Sequence, residues 1–178
     1  KHFDLFSQFI ARNSTCDQVL EIGDPSAKIA KLCSLLTKNP KWTIVEPNPI
    51  PSMLNSSIKN IFYEKCWFSD FKIKDRIYDT VVLSHVFEHL YDPTVTLNKI
   101  SKCTSKDSKI LLSIPDMEYL LDNDHMPPAG MHFEHTFYLD KNNLEFLLNR
   151  CGFEIENCEK YQNHSLFISC RKKDKITK

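Results

Sequence analysis

Tyr78-Asp79-Thr80-Val81-Val82-Leu83-Ser84-His85-Val86-Phe87-Glu88-His89-Leu90-Tyr91-Asp92-Pro93 contains an unbroken apolar run, Val81-Val82-Leu83, that stops abruptly in polar and titratable residues. A run without polar alternation marks a strand covered on both faces, as in a parallel sheet. Asp92-Pro93 then supplies a capping carboxylate and a first-turn proline for a helix carrying Val95, Leu97 and Ile100. Buried strand, polar loop and helix in succession are the repeating unit of an α/β fold.

The unit recurs on both sides. Upstream, Phe3, Phe6, Phe9 and Ile10 recur at helical spacing. A strand over Gln18–Ile22 is halted by Gly23-Asp24-Pro25. Ser26 is the expected cap of a helix with Ile29, Leu32, Leu35 and Leu36 on its apolar face. Strands follow at Trp42–Val45 and Ile61–Glu64, with a helix near 51–57 between them. Downstream come a strand over Lys109–Ile114, an irregular stretch from Asp122 to Thr136, and a helix capped by Asp140 that ends at Cys151-Gly152. Two strands close the chain, around Phe153–Ile155 and Ser165–Ile168, with no helix between them. Strict alternation followed by a turn-linked pair predicts a Rossmann-like, doubly wound, seven-stranded sheet, mostly parallel with the last strand pair antiparallel. The expected organisation is a single domain over 1–172, beginning with an N-terminal helix over 1–15, followed by a basic tail over 173–178.

With 42% hydrophobic and 26% charged residues, 3 Gly and 9 Pro, the chain is neither collagen-like nor disordered. Lys+Arg and Asp+Glu both number 23, and this balance argues against a phosphate-tracking nucleic-acid binder. No apolar run approaches the roughly 18 residues that mark a membrane-spanning helix. The seven cysteines are scattered, form no C-x-x-C, and are odd in number. Reduced cysteines and a cytoplasmic location are therefore expected. The start on Lys1 suggests a piece of a longer, multidomain chain.

In doubly wound sheets ligands bind beyond the carboxyl ends of the strands, where strand order reverses. The first strand ends in Glu21-Ile22-Gly23-Asp24, whose glycine permits a tight turn and a close approach of backbone to a ligand. The second ends in Glu46-Pro47, an acidic residue placed to accept hydrogen bonds from both hydroxyls of a ribose. These features point to a nucleoside-containing ligand.

The 78–93 segment resembles the fourth-strand motif of class I S-adenosylmethionine-dependent methyltransferases. The resemblance continues through Leu97, Ile100, Ile110-Leu111-Leu112-Ser113-Ile114-Pro115-Asp116 and Cys151-Gly152-Phe153-Glu154-Ile155, and so spans roughly Val19 to Cys170. It implies S-adenosyl-L-methionine as cofactor. Glu21, Gly23 and Asp24 would form the methionine-side loop, Glu46 and Pro47 the ribose end, Trp67 and Phe68 the adenine side, and Ser84 and His85 the pocket floor. One departure stands out: Pro25 and Ala27 occupy positions where that family usually has glycines. The loss of a backbone donor and an added methyl group are expected to weaken cofactor binding, and a degenerate, non-catalytic docking domain is the alternative.

Two histidine groups carry candidate chemistry. His85-x-x-Glu88-His89 also spells the H-x-x-E-H of inverzincin metalloproteases. That motif needs one continuous helix, whereas here it follows a buried strand directly, so no metal is expected. Met131-His132-Phe133-Glu134-His135-Thr136-Phe137-Tyr138 follows the fifth strand and overhangs the cleft. An imidazole beside a carboxylate can act as general base near neutral pH. The string also resembles a segment of methyltransferases acting on sugars and sugar nucleotides, some of them C-methylating, which aligns Glu134 and His135 with their reaction centre. The expected activity is O-methylation of a sugar or glycan hydroxyl, with His135 as base, Glu134 as its orienting or acceptor-binding partner, and His89 in reserve. Sugar C-methylation and methylation of another small molecule are the alternatives. His125 is read as a loop or lid residue.

Overall fold

The structure, a computed structural model, describes residues 1–54, 59–74, 76–122 and 134–173. Seven strands form one sheet: β1 Gln18–Ile22, β2 Lys41–Val45, β3 Ile61–Glu64, β4 Tyr78–Ser84, β5 Thr104–Pro115, β6 Phe153–Tyr161 and β7 Ser165–Lys172, in the order β3-β2-β1-β4-β5-β7-β6. β1 to β5 pair in parallel, and β7 runs antiparallel to both β5 and β6. The expected sheet is therefore present, and its single reversed strand, β7, is inserted between β5 and β6.

Side chains alternate between the two faces of each strand. Leu20 and Ile22, Val81 and Leu83, and Ile110 and Leu112 face one core layer. Val19, Val82 and Leu111 face the other. Leu97 and Ile100 of α4 (Pro93–Lys102) and Leu144 and Leu148 of α6 (Lys141–Arg150) complete the first layer. Phe6, Phe9 and Ile10 of α1 (His2–Asn13) and Ile29, Ala30 and Cys33 of α2 (Lys28–Leu36) complete the second. This double cover explains why Val81-Val82-Leu83 has no polar alternation.

Local chemistry sets the helix ends. Asp92 caps α4 by accepting from the Val95 N–H at 3.0 Å, with Pro93 in the first turn. Asp140 caps α6 through the Asn143 N–H at 2.7 Å, and Gly152 follows at φ +83°. The strand β5 is longer than its apolar run, and a short helix, α5 (Met117–Asp122), precedes the expected irregular stretch. Of the helix expected near 51–57, the described part is α3, Pro51–Leu54.

The reading of α2 needs correction. Its buried face is Ile29, Ala30 and Cys33, while Leu35 is 82% exposed and Leu36 50%. Ser26 is not the cap either. Asp24, in the preceding loop, accepts from the Lys28 N–H at 2.7 Å and the Ile29 N–H at 3.4 Å. A carboxylate there meets the unsatisfied amides and positive end of the helix, the work a cap residue otherwise does.

Candidate active site

A cavity of about 690 Å³ opens at the carboxyl ends of β1, β2 and β4, where the strand order reverses. Gly23, Glu46, Pro47, Trp67, Phe68, His85, His89 and Glu134 all line it, so eight of the twelve candidate residues meet in one space. Glu21, Asp24, Ser84 and His135 do not line it.

One wall of the cavity is built from strand ends. Gly23 has φ +83°, and a Cβ added there would lie 2.5 Å from Val86 Cγ2, so the β1 loop and the β4 loop close on each other only through a glycine. The Gly23 N–H donates to the Val45 carbonyl at 3.0 Å, tying the first two strand ends together. Glu46 accepts from the Asn48 N–H through Oε1 at 2.7 Å, which fixes its carboxylate at the rim and leaves Oε2 to a ligand. Trp67 is 65% exposed beside the buried Phe68, giving that rim an aromatic surface.

Two candidate residues serve the scaffold of this wall. Asp24 spends its oxygens on α2 and on the Ser26 N–H and hydroxyl at 2.7 and 2.9 Å. Glu21 is buried within β1, where desolvation and then the nearby Asp24 push its carboxyl well above the usual range and favour the protonated acid. The departure at Ala27 also takes a structural form. Its backbone sits at φ 54° and ψ 32°, the region glycine prefers, but its methyl is fully buried in the α1/α2 core layer, not in the cavity. The expectation of a methyl group close to the cofactor is therefore corrected.

The opposite lip is built by the turn after β4. His85 has φ +52°, and Phe87–His89 form a single 3₁₀ turn, not a continuing helix. The two histidines of the H-x-x-E-H string accordingly join different groups. His85 Nδ1 meets Glu88 Oε1 and its Nε2 meets Ser165 Oγ, both at 3.1 Å. The His89 Nδ1 lies 3.0 Å from the Glu134 carbonyl, and its ring packs edge-on against His135 with centroids 4.8 Å apart. Glu88 is 5% exposed, and ligand atoms of Glu88, His89 and His135 lie within 4.8 Å of one another. His135 itself lines a small pocket beside the main cavity, with Glu88, Met117 and Tyr138.

Thr136 holds this lip in place. Its N–H donates to the Glu88 carbonyl at 3.0 Å, and its hydroxyl reaches the Glu88 and Leu90 carbonyls at 3.1 and 2.7 Å. The sequence reading missed Thr136, because no local pattern signals a clasp between segments so far apart. It also missed Asn48, Leu90, Tyr91 and Thr96 on the cavity wall. His125 and His132 lie outside the described residues.

The sequence matches the model of the family described as methyltransferase domain over residues 2–157. The chain belongs to that family. No curated protein matches the methyltransferase in sequence. Its fold is similar to that of the 1,6-didemethyltoxoflavin-N1-methyltransferase of Burkholderia thailandensis, solved with 1,6-didemethyltoxoflavin and S-adenosylhomocysteine (15% identity, TM-score 0.75, 97% of this chain and 78% of that one). The CcbJ methyltransferase of Streptomyces caelestis is likewise similar (9% identity, TM-score 0.77, 96% and 89% coverage). So is the plantazolicin methyltransferase BpumL, solved with a monoazolic desmethylPZN analog and S-adenosylhomocysteine (12% identity, TM-score 0.73, 96% and 83% coverage). At these identities the likeness is one of fold. Among the described residues, no helix of the methyltransferase is long and apolar enough to cross a membrane.

Proposed function

We propose that this methyltransferase uses S-adenosyl-L-methionine to methylate a hydroxyl of a sugar or glycan, with His135 as the general base. The observation that carries the reading is the shared opening: the cavity at the strand-order switch is bounded by Gly23 and Glu46 on one side and by His89 and Glu134 on the other. The residues present suit the cofactor. Gly23 gives backbone room, Glu46 offers a carboxylate oxygen to ribose hydroxyls, and Trp67 and Phe68 offer aromatic faces to adenine. When bound, S-adenosylmethionine supplies a methyl group on a sulfonium, an electrophile that needs no activation by the protein.

The chain's own work is then positioning and proton removal. His89, anchored on the Glu134 carbonyl, orients the His135 ring by edge contact. His135 takes the acceptor hydroxyl proton as the oxygen attacks, and the buried Glu88 stabilises the imidazolium that forms. The fold relatives solved with toxoflavin and plantazolicin analogues support small acceptors in general, and the sugar preference comes from the 134–138 segment. Labelled S-adenosylmethionine should be offered with sugars, sugar nucleotides, peptides and RNA. Methyl transfer to a sugar hydroxyl is the expected result, and label found only in RNA or peptide would overturn the reading.

A further inference from the structure

The His85 side of the β4 turn carries a second group of histidines, distinct from the His89–His135 pair. His2 from the first turn of α1, His85 from the end of β4, and His164 from the β6–β7 turn converge. One ring nitrogen of each lies within 4.8 Å of the other two. The ring centroids are 5.0 Å apart for His2 and His85, 5.5 Å for His85 and His164, and 6.0 Å for His2 and His164. We propose that His2, His85 and His164 form a binding site for a divalent transition-metal ion of the zinc type, which ties α1 and the β6–β7 turn to the end of β4.

The side chains around the rings favour this use. A histidine that binds a metal usually has its other nitrogen held by a carboxylate or another hydrogen-bonding group, which fixes the ring and raises its basicity. Each ring here has such a partner. Glu88 Oε1 holds His85 Nδ1 at 3.1 Å, Ser113 Oγ lies 3.3 Å from His2 Nε2, and Ser165 Oγ holds His164 Nδ1. The His2 Nδ1 is left buried with no hydrogen-bond partner, a cost that a metal bond would remove. The rings of Tyr161 and Phe167 pack edge-on against His2 at 5.2 and 5.3 Å, forming a shell of low polarity around the group.

Tetrahedral zinc with Zn–N bonds of about 2.0–2.1 Å places ligand nitrogens about 3.3 Å apart. Shifts of roughly an ångström by the three side chains therefore close the site, with His85 exchanging its Ser165 hydrogen bond for the metal. Three imidazoles leave a fourth position for water. No cysteine belongs to the group, although all seven are free.

The test is calorimetric titration of the metal-stripped protein with Zn²⁺, paired with thermal unfolding and with Co²⁺ absorption as a spectroscopic probe. The wild type should bind one ion, melt higher with zinc, and give a tetrahedral Co²⁺ spectrum without a sulfur-to-cobalt charge-transfer band. His164→Ala alters an exposed turn and should fold normally; it and His2→Gln should each abolish the zinc-dependent shift. Glu88→Gln should weaken binding by about 10- to 100-fold. His135→Ala should leave binding intact. Absence of binding, a thiolate band, retention of the shift in His164→Ala, or loss of binding in His135→Ala would each overturn the proposal.

Discussion

The two walls of the cleft are made in different ways. On one side, Gly23 and Glu46 sit at the ends of paired parallel strands, and their geometry is set by the sheet register and by one close contact with Val86. On the opposite lip, His89 and Glu134 line the cleft and His135 packs behind His89, all carried by a single 3₁₀ turn and a loop clasped by Thr136 across 46 to 48 positions of sequence. The first wall inherits the rigidity of the core. The second depends on a few hydrogen bonds, each contributing about 1 kcal/mol net.

This contrast can be broken most forcefully at Gly23. Gly23→Ala adds strain at a positive φ and a collision with Val86 at 2.5 Å, so the loss should be about 2–4 kcal/mol in stability, with cofactor binding lost alongside. Denaturant unfolding and calorimetry would show both. A variant as stable as the wild type would mean that the two strand-end loops are not locked together.

Thr136→Val tests the other wall. It removes the hydroxyl, whose single proton is shared between the two carbonyls, while keeping the backbone bond to Glu88, so stability should fall by about 1 kcal/mol. Turnover should drop while S-adenosylhomocysteine affinity stays within a few-fold. Equal losses in both would show that the walls are coupled.

Glu21→Gln sharpens the distinction between scaffold and site. The folded state raises this acid above its unfolded value, so it binds more protons than the unfolded state does, and stability falls as pH rises from the ordinary carboxylate range toward the folded pKa. The amide removes that penalty. The variant should melt slightly higher than the wild type at neutral pH and show a flatter pH dependence, with cofactor affinity unchanged. A melting temperature that drops at neutral pH would show that the charged carboxylate is needed.

The same contrast explains what was legible in the sequence. Val81-Val82-Leu83, Gly23 and Glu46 were readable because strand ends and apolar runs are local patterns, and the sheet fixes what lies beyond them. The capping role of Asp24 was not legible, because Ser26 and Ala27 gave no sign that a loop carboxylate would cap α2. Leu35 looked like core because helical spacing gives a period and not a phase, and the sheet selected Ile29, Ala30 and Cys33 instead. The His2, His85 and His164 group was invisible, since only the finished topology unites α1, β4 and the β6–β7 turn.

In the function proposed above, Glu46 in the cleft holds the cofactor while His135, behind the His89 lip, removes the proton. This division is tested most directly by measuring S-adenosylhomocysteine affinity and acceptor turnover together in Glu46→Ala and His135→Ala. Glu46→Ala should lose affinity, and His135→Ala should keep affinity within a few-fold while turnover falls by about 10² to 10⁴. Full affinity in Glu46→Ala, or near-normal turnover in His135→Ala, would contradict it.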